Sequence, residues 1–193
     1  MKANSLALVL GSAFLLSGCL LEDEPQLRVT HASSDAPLVA ITLNGKVVGG
    51  LEEVDYQVAS GFLNLEEGTY NVGVEALLPG DEKVEVIGAN LDFAPDMQYD
   101  VIALNNAAAI EAVVLSRESI GPGAGEIRID VLHAHPDVPG VDIYLTTEES
   151  IDGSQPAVGG LEFKVDDMTL PVTVEAKPFR IRVTLAGEKD VVF

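Results

Sequence analysis

A chain of 193 residues with 47% hydrophobic side chains has enough material for one large buried core or two small ones, which excludes wholesale disorder. Its formal net charge of −20, from 31 acidic against 11 basic side chains, repels phosphate backbones and excludes nucleic acid as a natural partner. One cysteine permits no intrachain disulfide, so the fold must rest on packed Val, Leu, Ile and Ala.

The first segment reads as an export signal. Lys2 and Asn4 form a short polar start with one positive charge, and Leu6 to Leu16 is almost entirely apolar. That run is too short to span a bilayer and sits where the hydrophobic region of a signal belongs. Leu16-Ser17-Gly18-Cys19 then places small residues before the cysteine. The order resembles a bacterial lipoprotein signal over residues 1–18, cleaved before a lipidated Cys19. Acylation would also consume a thiol that is a liability in an oxidising envelope. Several acyl chains on one residue would anchor stably where one would not. Residues 19–26, with Leu20-Leu21-Glu22-Asp23-Glu24-Pro25-Gln26 after the cysteine, read as an acidic tether. Leu20 follows the cysteine where an aspartate would resemble an inner-membrane retention signal, so the expected address is the outer membrane of a Gram-negative bacterium.

An internal repeat follows. His31-Ala32-Ser33-Ser34-Asp35-Ala36-Pro37-Leu38-Val39-Ala40-Ile41 returns 102 residues later as His133-Ala134-His135-Pro136-Asp137-Val138-Pro139-Gly140-Val141-Asp142-Ile143, with six of eleven positions identical. Tyr70-Asn71-Val72-Gly73-Val74 is matched at an offset of 109 by Phe179-Arg180-Ile181-Arg182-Val183. The runs around these segments alternate apolar and polar, the period of strands with one buried face. Similar runs are Val84 to Leu91, Tyr99 to Leu104 and Ala112 to Leu115, and Leu43-Asn44-Gly45-Lys46 suits a tight hairpin. Residues 27–117 form a first predicted unit of roughly seven strands. Residues 118–125, with Gly121-Pro122-Gly123-Ala124-Gly125, form a joint, and residues 126–193 a second unit. Lys189 to Phe193 corresponds to Lys83 to Ile87, and nothing later corresponds to Asn90 through Leu115. The second unit is therefore expected to lack two or three strands: the gene is shortened, a partner supplies the edge, or the sequence is a fragment. The expected fold is all-β: an antiparallel immunoglobulin-like β-sandwich, complete in the first unit and partial in the second.

At the repeated His-Ala-x-x-Asp-x-Pro-x-Val segment the chain resembles the exported bacterial family known as domain of unknown function 4397. Val29 to Leu43, the Gly-Thr-Tyr-x-Val pattern at Gly68 to Val72 and Gln-Tyr-Asp-Val at Gln98 to Val101 carry the resemblance. It implies immunoglobulin-type sandwiches, single or in tandem, on secreted and surface proteins. It implies no activity. In the second unit the Gly-Thr-Tyr signature has become Lys177-Pro178-Phe179.

The candidate chemistry is thin. All three histidines, His31, His133 and His135, lie in the repeat. His133 and His135, spaced i, i+2, would share one face of a strand and with Asp137 make a weak metal candidate. Ser33 stands where His135 would recur, so one copy alone has the pair. The reading adopted is structural. The histidine donates to a nearby carbonyl, Asp35 and Asp137 accept backbone N–H groups in Asx-type turns, and Pro37 and Pro139 set φ before the next strand. No nucleophile elbow, Walker loop, dinucleotide fingerprint or His-Glu-x-x-His segment is present, so no catalytic residue and no cofactor are expected.

The expected function is that of a non-catalytic cell-envelope lipoprotein, joined to the membrane through Cys19 and displaying sandwich modules for adhesion, envelope structure or ligand binding. An alternative is binding of carbohydrate or another envelope polymer through sandwich loops, which a convergent acidic or aromatic pocket would favour. A more distant one is an accessory envelope enzyme, which a deep pocket holding His133, His135 and Asp137 would favour.

Overall fold

The computed structural model describes residues 23–165 and 171–193, so the signal and Cys19 lie outside the described residues. The chain is all-β. Its first eight strands are β1 (Gln26–His31), β2 (Val39–Leu43), β3 (Lys46–Val47), β4 (Leu63–Asn64), β5 (Gly68–Leu78), β6 (Glu82–Phe93), β7 (Met97–Leu104) and β8 (Glu111–Glu118). They form two four-stranded sheets, ordered β4-β1-β7-β8 and β3-β2-β5-β6. The alternation in the sequence explains why the sheets close face to face. Leu27, Val29, Tyr99 and Val101 from one sheet meet Val39, Ile41, Val72 and Val74 from the other in a single core. The turn Asn44-Gly45 joins β2 to β3 with φ of 51° and 74°, the left-handed pair a two-residue hairpin requires. Ala107–Ala109 is one 3-10 turn ahead of the closing strand β8.

Two features depart from the expected pattern. β1 and β7 run parallel, in register from Gln26 opposite Gln98 to His31 opposite Ala103, within otherwise antiparallel sheets. The folded part also begins inside the segment read as a tether. Pro25 is fully buried, and Asp23 and Asp96 exchange hydrogen bonds, Asp23 N–H to Asp96 Oδ1 at 2.7 Å and Asp96 N–H to Asp23 O at 2.8 Å.

The remaining strands are β9 (Glu126–Asp130), β10 (Val141–Thr146), β11 (Val158–Leu161), β12 (Pro171–Glu175) and β13 (Arg180–Leu185). They form a two-stranded sheet, β12-β9, and a three-stranded one, β11-β10-β13. Their registers copy those of the first strands. Val39 faces Ala76 and Ile41 faces Val74; at the sequence offsets of 102 and 109, Val141 faces Leu185 and Ile143 faces Val183. The small second core holds Val141, Ile143, Val158 and Leu161.

The late strands dock on the outer face of the first sheet. Leu104, Val113 and Leu115, on that face, pack against Leu132, Ala134 and Phe163. Beside this contact Lys164 Nζ donates to Glu111 Oε2. That hydrogen bond holds the Glu111 carboxyl below its ordinary value of 4.5; burial opposes the shift, and a further bond from Asn105 reinforces it. A carboxyl lowered in the folded state contributes stability above its unfolded pKa and loses it as pH falls through the folded one. The melting-temperature gap between wild type and Glu111→Gln is therefore expected to be present at pH 7 and to close on acidification, as pH falls below the ordinary carboxyl value and through the lowered one. A gap that persists or widens on acidification would contradict this account of the pair.

Candidate functional site

The repeated motif builds two corners of the same design. In the first, His31 is buried at the end of β1. Ser33 N–H donates to its Nδ1 at 3.3 Å, so Nε2 carries the proton and donates to Pro37 O at 3.1 Å. Gln57 N–H donates to His31 O at 2.9 Å, and the Tyr56 ring meets the imidazole edge-on at 6.4 Å. In the second corner His135 N–H donates to His133 Nδ1 at 3.3 Å. His133 Nε2 faces Val138 O at 3.1 Å and Pro139 O at 3.2 Å. Lys164 N–H donates to His133 O at 2.9 Å, and Phe163 meets the ring edge-on at 6.4 Å. Both rings thus have their two nitrogens committed to backbone, which ties the end of a strand to the start of the next. Tyr56-Gln57 and Phe163-Lys164 play one role at one spacing, 107 residues apart, yet share no residue type. Sequence comparison therefore missed them.

The aspartates behave differently from the expected local turns. Asp35 Oδ1 accepts the N–H of Ala107 at 2.8 Å, a partner 72 residues away in the β7–β8 connection. Among the described residues nothing plays the part of Ala107 for Asp137, whose own N–H donates to His135 Nδ1 at 3.3 Å. Pro37 is exposed with its carbonyl held by His31, and Pro139 stands likewise before β10. His133 and His135 do not share a strand face, the arrangement that made them a weak ligand candidate. Both lie in the loop after β9 rather than on a strand, His133 buried and His135 exposed. Among the described residues no group of three or more His, Cys, Asp or Glu is placed to hold a metal ion.

What the corners do enclose is a cleft of about 580 Å³. Its apolar lining includes Val131, Val141, Ile143, Leu161 and Val183, the inner face of the second core. Tyr56 and Ser34 line it from the first corner, and His133 and His135 from the second; Asp137 does not line it. A second cluster lies on the outer face of the first sheet. The Asp100 carboxylate receives a fork from Arg28 and a hydrogen bond of 2.5 Å from Arg117 Nη1. Phe62 lies under both guanidiniums, at 4.8 and 5.7 Å. Neither cleft nor cluster was visible in the sequence.

A family model described as domain of unknown function (DUF4397) matches residues 25–144, which takes in β1 through most of β10. No curated protein matches the chain.

Proposed function

The chain belongs to the DUF4397 family, and on that premise we propose that it is a non-catalytic module of the cell envelope that binds a partner through the cleft between its two corners. The observation that carries this reading is the apolar lining of the cleft beside the imidazoles of His31 and His133, whose ring nitrogens are already committed. A general base needs a free nitrogen directed at a substrate, and neither His31 nor His133 offers one. Concave apolar surface of this size, by contrast, is the common form of a binding site. The lining does not favour carbohydrate. Sugars ask for converging polar groups on a flat aromatic platform, and here eight Val, Leu and Ile side chains outnumber the two aromatics, Tyr56 and Phe193.

The anchor half of the proposal rests on the lipobox-like end at Cys19. Labelling of growing cells with a fatty-acid analogue should mark the protein, and Cys19→Ser should abolish the label; persistence of the label in the variant would remove the anchor.

Binding is tested with Nile red, an uncharged apolar dye. The full chain should take it up saturably at one site with a blue-shifted emission. Ser34 is exposed and lines the cleft, so Ser34→Trp fills space without disturbing a buried group. That variant should weaken dye binding by about tenfold, a change of roughly 1.4 kcal/mol. Dye uptake unchanged in Ser34→Trp, or absent from the wild type, would end the proposal.

A further inference from the structure

The two units share their registers, so each is a control for what the fold of the other requires. In the first unit the approach to β2, the β3–β4 connection and the β5–β6 turn meet around a groove of about 570 Å³. Leu38, Leu77 and Leu78 line it. Leu38 is 38% and Leu78 36% exposed, so large apolar side chains stand at the solvent boundary here instead of in the core. Apolar surface gathered in this way and rimmed by polar groups is the form of an interaction site.

The second unit keeps the same main-chain frame without those side chains. Leu77 N–H donates to Leu38 O at 2.9 Å, and at the equivalent place Ala186 N–H donates to Gly140 O at 2.8 Å. Leu78 has Gly187 as its counterpart. Val39 faces Val54 as Val141 faces Leu161, which sets Glu52 and Glu53 against Gly159 and Gly160. Glycine or alanine thus serves the fold at all five positions, and the leucines and glutamates of the first unit are not there to form the strands. The second unit ties this end together instead. Asp142 accepts the N–H of Gly160 at 2.7 Å and of Gly187 at 2.9 Å, whereas its counterpart, Ala40, has no such group.

Charge specifies the occupant. Glu52, Glu53, Asp81 and Glu82 also line the groove, and among the described residues none of the four is in an ion pair. Lys83, the one basic residue at the groove, has its Nζ 3.9 Å from Glu75 Oε2. The walls are held in advance: His31 Nε2 donates to Pro37 O at 3.1 Å, and Val54 N–H donates to Val39 O at 2.7 Å. A preformed groove loses little ordering entropy on binding. We infer that this groove docks a short segment of a partner protein in which two adjacent apolar side chains are flanked by lysine or arginine. The apolar pair covers Leu38 and Leu78 and removes that surface from water. The flanking cations meet the unpaired carboxylates. A second copy of this chain, with a net charge of −20, is repelled. The groove shares no lining residue with the cleft between the corners, so either surface can fail without the other.

The test uses the full chain and dye-labelled hexapeptides at about 0.15 M salt, where diffuse attraction between distant charges is screened. Lys-Lys-Leu-Leu-Lys-Lys should bind saturably by anisotropy. Lys-Lys-Ser-Ser-Lys-Lys, of equal charge, should bind at least about tenfold more weakly. Glu52→Gln combined with Glu53→Gln should weaken the leucine peptide by at least about tenfold. Glu66→Gln combined with Glu67→Gln, an equal loss of charge outside the groove, should leave its affinity within about twofold. Leu38→Ser combined with Leu78→Ser should bring the leucine peptide down to the level of the serine peptide. All six substituted positions are exposed, so the variants keep the fold, and the comparison of the two peptides needs no variant. Equal binding of the two peptides, equal weakening by the two glutamine pairs, or no binding at all would each overturn the inference. Displacement of the leucine peptide by about 1 mM calcium at constant ionic strength would also overturn it, by assigning the carboxylates to a metal ion.

Discussion

Ile41→Ala is expected to destabilise the protein by about 4 kcal/mol, a large part of the whole stability of an ordinary domain. Ile41 is completely inaccessible to solvent and belongs to the core that both four-stranded sheets close upon. Truncation removes three carbons from a site enclosed on every side, so the cost of transfer is joined by the cost of a cavity. Ile143→Ala makes the informative comparison. Ile143 holds the same register position, facing Val183 as Ile41 faces Val74, and it too is buried. It differs in bordering the cleft. Its side chain has fewer neighbours to lose, and the space left merges with space already open. Its truncation should cost about 2 kcal/mol. Urea midpoints read at constant slope give both values. Equal costs would mean that the second core is packed as tightly as the first.

That contrast shows what could be read from the residues alone and what could not. Period-two alternation identified the strands wherever one face is buried, because the pleat sends every second side chain inward. Tyr70, Val72 and Val74 pack into or against the core, and the Asn44-Gly45 turn sits where its left-handed residues required. β4 and β3 have two residues each, too few to show a period. The parallel pairing of β1 with β7 joins residues 72 apart, and no local pattern reports it. The repeated histidines were read as strand-to-turn corners, and their bonds to Pro37, Val138 and Pro139 carbonyls are of that kind. Asp35 reaches across the sheet instead of closing a turn of its own, since Ala107 N–H lies within reach once β7 is in place. The cleft arises only when the late strands dock through Leu132, Ala134 and Phe163, so no single segment encodes it.

Asp100→Ala is the second substitution expected to be severe, at about 3 kcal/mol, although nothing in the sequence marked Asp100 beyond its place in the Gln-Tyr-Asp-Val run. Charged residues at alternate positions of a strand ordinarily signal a solvent face. Here Asp100 is 4% exposed, because Arg28 from β1 and Arg117 from β8 close over it from either side of β7. Phe62 shields the two guanidiniums, and Gln98 Oε1 accepts from Arg117 Nε at 3.0 Å. Removing the carboxylate leaves Arg117, with 13% of its side chain exposed, beside a second cation and without its strongest acceptor. An unpaired charge that cannot reach water is the costly outcome, and its cost exceeds the net value of the pair. Arg28→Ala should be far milder, about 1 kcal/mol, since Arg28 has 38% of its side chain exposed and Asp100 keeps Arg117. A double-mutant cycle between Asp100 and Arg117 separates the two contributions, and coupling of at least about 1 kcal/mol is expected. The cluster also reaches toward the late strands, where Asp130 stands 3.9 Å from Arg117. Asp100→Ala within about 0.5 kcal/mol of wild type would show that solvent reaches the cluster and that its packing contributes nothing.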